Sequence, residues 1–283
     1  MSDAPLLPRL QRAAAAAARA FADHVDAGPF VAAFSPHDPL VWINYAVPAA
    51  DSATPDELLA AVAHLRPEFA RRSRKLRFEF TLDLWPDLPA VLEAQGLTRK
   101  ATLPLMAATR DDVRPTDPAV GFSIELIPPT VDHATLAVVV TVQRRAFDPG
   151  RGDAADSEVD EALAELRTGA FRLAAAFVDD PATGRRCCAG AAALTAGPGI
   201  AQTDVAELTG VGTAPEFRNR GVARALSEFL VRHHLAAGGS AVWLSAGDDT
   251  ARRVYERIGF RTVGRQAHFA EPLNPAAPAT GLT

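Results

Sequence analysis

Apolar positions late in the chain keep a helical period. Val222, Ala225, Leu226, Phe229 and Leu230 follow the i, i+3, i+4, i+7 spacing of an amphipathic helix, which Gly238 and Gly239 end. The short apolar run "AVWLSA" reads as a buried strand. "DDTARRVYERIGF" reads as a helix opening on Asp248 as N-cap and closing on Gly259, and "RTVGRQAHFA" as a last strand. Upstream, "FSIELIPP" predicts a strand, and "DHATLAVVVTVQRRAF" and "SEVDEALAELRTG" predict helices. "FRLAAAFVDD", "RRCCAGAAALTAG" and "VAELTGVGT" predict three successive strands.

The same alternation occurs earlier in the chain. "LVWINYAVP" followed by "PDELLAAVAHLRPEFARR" is a strand and then a helix. "KLRFEFTLDLWPDLPAVLEAQGLTRKATLPLMA" runs strand, helix, glycine, strand, and "QRAAAAAARAFADH" is an alanine-rich helix. Placing Gly96 over Gly259 sets Glu93 over Glu256 and Leu92 over Tyr255. A polar, proline-containing stretch, "ATRDDVRPTDPAVG", separates the two series. The organisation expected is a domain over residues 1–110, a linker over 111–120 and a second domain over 121–283. The two are related as a diverged tandem copy, with an unrelated capping domain as the alternative. Alternating strands and helices in both place the chain in the α/β (α+β) class, with mixed sheets and flanking helices.

Composition narrows the function. The 283 residues carry 22% charged side chains and a net charge of −5, which suits a globular protein and excludes a general nucleic-acid binder. The only two cysteines, Cys187 and Cys188, are adjacent, so they read as strand residues and not as a disulfide, metal or redox site. No run reaches the roughly 18 apolar residues a membrane span needs. A cytoplasmic enzyme without membrane or nucleic-acid partners is the expectation, and nothing in the sequence specifies its oligomeric state.

The chemistry concentrates at "EFRNRGVARAL", residues 216–226. Arginines at the start of a helix oppose the positive end of its dipole unless an anion sits there. Gly221 lets the backbone approach a ligand, Val222 and Ala223 keep the first turn small, and Arg218, Arg220 and Arg224 add charge-assisted donors. A pyrophosphate is indicated. The segment is not a P-loop, lacking Gly-Lys-Ser/Thr, nor a dinucleotide fingerprint, lacking G-x-G-x-x-G.

"GVGTAPEFRNRGVARAL" resembles the coenzyme A loop of the GNAT superfamily of N-acetyltransferases, with Arg218, Gly221 and Ala223 on that family's pattern. "ARRVYERIGF" resembles its later segment through Ala251, Tyr255, Gly259 and Phe260. The resemblance covers residues 121–272 and the first half in outline. It implies two GNAT-like mixed-sheet domains, the first a degenerate copy whose "AADSATP" has neither arginine nor glycine at the matching place. It also implies an acetyl-CoA-dependent transferase acting on a primary amine of a small molecule or peptide. Val211, Gly212 and Thr213 would hold the pantetheine arm and acetyl carbonyl, while Arg218, Asn219, Arg220, Gly221, Val222, Ala223 and Arg224 would hold the pyrophosphate. Glu207 would serve as base, and Tyr255 as acid or hydrogen-bond donor toward the coenzyme A sulfur. A non-catalytic acyl-CoA sensor and a mycothiol synthase-like two-domain acyltransferase are the alternatives.

Other polar groups have structural expectations. Asp248 caps its helix. His233 and His234 sit near a helix C-terminus, which favours a positive imidazole. "RRSRK", residues 71–75, is a solvated helix end. The loop "DPGRGDAADSEVDE" offers carboxylates that could attract a cationic amine.

Overall fold

The strand that ends each half of the chain pairs with the other half. The computed structural model describes residues 6–36, 43–113, 121–169, 171–179, 184–195 and 204–272, so most of the expected linker lies outside the described residues. One sheet runs in the order β1 (Asp23–Ala27), β2 (Phe30–Phe34), β3 (Tyr45–Pro48), β4 (Arg77–Thr81) and β11 (Arg261–Ala270). It continues through β5 (Thr98–Thr109), β10 (Ala241–Ser245), β9 (Val205–Thr213), β8 (Arg186–Thr195), β7 (Phe171–Asp179) and β6 (Ser123–Leu126). The closing strand of the second half, β11, lies between β4 and β5. The closing strand of the first half, β5, lies between β11 and β10. Read inward, β1 to β4 repeat the layout of β7 to β10, each with an antiparallel series followed by one parallel pair, β3 with β4 and β9 with β10.

Alternation along the strands divides the side chains between two faces. One face packs against α2 (Pro55–Arg71) and α3 (Leu88–Ala94) through Phe78, Phe80 and Phe269. It packs against α6 (Val222–Ala236) and α7 (Asp249–Ile258) through Ala206, Leu208, Val242 and Leu244. The opposite face carries α4 (His133–Phe147) and α5 (Asp156–Thr168) over β7 and β8. Helix α1 (Leu6–Ala20) lies across the rest of that face. Its Leu10 packs with Leu105, Val205 and Trp243, and its Ala15 and Ala18 pack with Val31, Ala33 and Val47. Helix α1 touches both β3 and β9 and so links strands that lie far apart in the sheet.

Local sequence explains the element ends. Thr54 and Glu57 close the start of α2 as a reciprocal box: the Glu57 N–H donates to Thr54 Oγ1 at 3.3 Å and the Thr54 N–H to Glu57 Oε2 at 2.7 Å. Asp248 caps α7 as expected, accepting from the Ala251 N–H at 2.7 Å. Gly259 ends α7 at φ +121°, and a Cβ there would lie 2.0 Å from the Asp112 carbonyl oxygen, so the segment leaving β5 requires glycine. The hairpin β1–β2, turned at Gly28 (φ +57°), was not among the elements expected from sequence.

Three expectations are corrected. The basic run at 71–75 is a tether more than a solvated end: Arg72 grips Asp23 at 2.6 and 2.5 Å, and Arg74 donates to Asn44 Oδ1 at 3.2 Å and the Ser35 carbonyl at 3.1 Å. His233 and His234 are not favoured as cations, because burial, with Arg172 nearby, pushes both below the ordinary histidine value. In the acidic loop, Glu158 is committed to Arg144 and Arg151, and Asp153 pairs with Arg145 at 3.0 Å. Cys187 and Cys188 are strand residues with free thiols. Among the described residues no helix is long and apolar enough to cross a membrane.

Candidate active site

Strands β9 and β10 separate after three residue pairs. Val205, Ala206 and Glu207 face Ala241, Val242 and Trp243, and β9 then runs on to Thr213 alongside β8 only. On the β8 side the register slips between Ala191 and Ala193, so Gly210 and Val211 oppose Ala192 as a bulge, with Gly210 at φ +59°. Helix α4 presses on this stretch. Gln143 donates to the Gly210 carbonyl at 2.8 Å, and a Cβ on Gly212 would meet the Ala146 Cβ at 2.7 Å. The edge of residues 208–213 that faces away from β8 therefore has no strand partner, a slot whose backbone groups are available to an extended ligand arm.

Beyond Thr213 the chain makes a short 3-10 turn, Pro215–Phe217, and enters α6 through Asn219 (φ +61°) and Gly221 (φ +83°). Two left-handed positions so close together turn successive N–H groups toward one concavity. No side chain caps α6 and no acidic residue lies in its first turn, whereas Thr54, Asp132 and Asp248 cap α2, α4 and α7. Among the described residues none of Arg218, Arg220 and Arg224 is paired with a carboxylate. Arg220 lies over the Phe122 and Phe217 rings at 5.2 and 5.4 Å. A Cβ on Gly221 would meet nothing within 4 Å, so the mouth of this cradle is open. An uncapped, positive helix end and guanidinium groups without carboxylate partners among the described residues fit an anion such as a pyrophosphate.

Two titratable groups flank the slot, one on each face of the sheet. Tyr255 of α7 belongs to the cluster of Ala206, Leu208 and Val242 and stands edge-on to Phe260 at 5.8 Å. Burial, with Asp248 nearby, pushes its hydroxyl up to about 12. Glu207 projects to the other face, beside Trp243. Burial, then the Glu79 carboxylate, pushes Glu207 up to about 8.

Sequence reasoning missed the first-half residues that face Glu207. Arg77 and Glu79 alternate with the core residues Phe78 and Phe80, so "RFEF" shows a strand burying charge on one face and phenyl rings on the other. Arg77 Nη2 lies 2.7 Å from Glu79 Oε1 and 2.9 Å from His268 Nδ1. Tyr45 is half-buried near Glu207 and Glu79, and its hydroxyl is held well above the ordinary value by loss of water around it and then by those carboxylates. A cavity between α1 and the sheet adjoins them, lined by Leu10, Gln11, Val47, Glu79, Trp243 and Gln266 among others.

Residues 140–260 match the family model described as Acetyltransferase (GNAT) family. No curated protein matches the chain. Solved structures resemble it over both halves. A GCN5-related N-acetyltransferase from Kribbella flavida gives a TM-score of 0.74 at 22% identity, covering 96% of this chain and 97% of that one. A GCN5-related N-acetyltransferase from Sphaerobacter thermophilus gives 0.58 at 15%, covering 88% and 78%. A tandem GNAT protein from the clavulanic acid biosynthesis pathway gives 0.55 at 16%, covering 88% and 79%. At these identities the likeness is one of fold.

Proposed function

We propose, on the match of residues 140–260 to the acetyltransferase (GNAT) family model, that the protein is an acetyl-CoA-dependent N-acetyltransferase acting on a primary amine. The observation that carries this reading is the uncapped start of α6, with Gly221 and three arginines without carboxylate partners, at the end of a strand with one free edge. Arg218, Asn219, Arg220, Gly221, Val222, Ala223 and Arg224 would hold the pyrophosphate. Val211, Gly212 and Thr213 would hold the arm along the slot. Bound acetyl-CoA would supply a thioester whose carbon–sulfur bond breaks as an amine nitrogen bonds its carbonyl carbon.

Glu207 takes the proton from that nitrogen. A base titrating near 8 is well matched to neutral pH, protonated often enough to release what it takes and ionised often enough to take it. Tyr255 keeps its proton and donates a hydrogen bond to the departing sulfur. At about 12 it is a far weaker acid than a thiol near ~8.5. Full proton transfer from it would cost roughly 5 kcal/mol.

The first half reads as a cofactor-free copy. Its helix α2 stands where α6 stands in the second half, but Thr54, Glu57 and Pro55 already occupy that helix start. Titration calorimetry with acetyl-CoA tests the whole reading. Wild type should bind, and Gly221→Asp, which puts a carboxylate into the cradle, should lose at least a hundredfold in affinity. Folded wild type that gives no heat and no competition with coenzyme A would end the proposal.

A further inference from the structure

Helix α4 meets β9 at the bulge. Gln143 Nε2 donates to the Gly210 carbonyl at 2.8 Å, and a Cβ on Gly210 would collide with that nitrogen. One turn further on, Ala146 fills the space a Cβ on Gly212 would need. Both glycines of β9 thus let the helix come down onto the strand. The backbone beyond the bulge takes its direction from β8. The Ala214 N–H donates to the Ala189 carbonyl at 3.0 Å, so the Thr213 carbonyl, on the same planar trans peptide, points away from β8. Register is unbroken from Gly212 to Thr213, and peptide groups alternate along an extended chain. The N–H groups of Thr213 and Val211 therefore turn to the free edge of the slot. The Val211 N–H shares its peptide with the Gly210 carbonyl, and in a planar trans peptide the two point in opposite directions. Whatever holds that carbonyl also sets the aim of that N–H.

Resting on the acetyl-transfer reading, we infer that Gln143 is a positioning residue: by gripping the Gly210 carbonyl it aims the Val211 N–H at the carbonyl oxygen of the bound thioester. Gly210 needs such a grip. It stands at φ +59° with no register partner in β8, and glycine rotates freely about φ, so the bulge by itself is a soft joint. As the amine nitrogen bonds the carbonyl carbon, its proton passes to Glu207 and an electron pair moves onto the carbonyl oxygen. That pair re-forms the carbonyl as the carbon–sulfur bond breaks, and the electrons of the broken bond leave on sulfur. A donor fixed toward the oxygen beforehand stabilises the charge without reorganising at the moment it develops. Gln143 acts on the reaction from α4 through one backbone carbonyl and needs no contact with either substrate.

The test reads the acetyl group directly, on the full chain without an amine. Infrared difference spectra with acetyl-CoA carrying carbon-13 at the carbonyl should show the bound carbonyl stretch at lower frequency than in free acetyl-CoA. Gln143→Leu, which removes the donor, and Gln143→Glu, whose carboxylate only accepts at neutral pH, should both return the band toward its free position. Calorimetry on the same proteins adds S-ethyl-CoA, a thioether with a methylene in place of the carbonyl. In both variants the ratio of acetyl-CoA affinity to S-ethyl-CoA affinity should fall about three- to tenfold, the worth of one neutral hydrogen bond. Equal losses for the two ligands would assign Gln143 to packing alone and overturn the inference, as would a shifted band that both variants keep. Wild type that binds acetyl-CoA with an unshifted band overturns it even if neither variant folds, and leaves acetyl transfer standing. Wild type that binds no acetyl-CoA takes down both.

Discussion

Glu207 is a residue whose chemistry works against the stability of the fold. Its folded value of about 8 stands above the ordinary 4.5, so the protonated form is the stabilised one. That contribution is complete below pH 4.5 and is lost as pH rises through 8, at about 1.4 kcal/mol for each tenfold difference in proton affinity between folded and unfolded chain. Glu165, pushed to about 7 by burial and by Glu161, behaves likewise. Melting temperature should therefore fall between pH 6 and 9, and Glu207→Gln should reduce the fall without abolishing it. An identical pH profile in the variant would contradict the assignment. The same substitution should lower amine acetylation by about 10²–10⁴-fold, as expected for loss of a general base. In wild type the acid limb of kcat/KM should have an apparent pKa near 8. Tyr255→Phe should cost only about 10–100-fold, the range of one hydrogen bond to a charged group. Glu207 and Tyr255 could be nominated from the sequence because one lies on the strand leading into a local motif and the other inside one. Glu79 carries no such local signal, since β4 and β9 are far apart in the strand order and only the tertiary fold brings Glu79 near Glu207.

At the scale of elements, α2 and α6 contrast two ways of treating a helix start. The box at Thr54 and Glu57 satisfies α2 from within, so Thr54→Ala should destabilise the protein by about 1 kcal/mol and leave acetyl-CoA affinity alone. Helix α6 leaves its start open. Arg224→Glu should thus raise the unfolding free energy of the free protein slightly, by the ~0.3–1 kcal/mol of a favourable dipole interaction, while weakening acetyl-CoA at least tenfold. Denaturation and calorimetry on the same samples separate the two effects. The helices and most strands were legible because a period of 3.6 or 2 is written into consecutive residues. Hairpin β1–β2 was not. Every residue of β2 is buried, so "FVAAF" shows no alternation, and the turn is no more than Gly28 and Pro29.

For the whole molecule, the exchange of β5 and β11 decides which pieces are viable. A fragment of residues 121–283 lacks β4 and β5, leaving β11 without either of its sheet neighbours and one edge of β10 unpaired, and it should aggregate. Co-expression with residues 1–113 should return a soluble complex, and the intact chain should unfold in one transition by two probes. A soluble, monomeric 121–283 fragment would contradict this. Boundaries at 110 and 121 describe the sequence, but they do not mark a separable unit in the sheet. Pairing partners so far apart along the chain leave no local trace, so the exchange could not be read in advance.

The exchanged strands also bear on heredity. A gene carrying two related halves in simple succession can discard one by a single deletion. Here a deletion of either half would strip a strand from the survivor. Point changes can alter the first half one residue at a time, but the half itself is held in the lineage by its neighbour's need for β5.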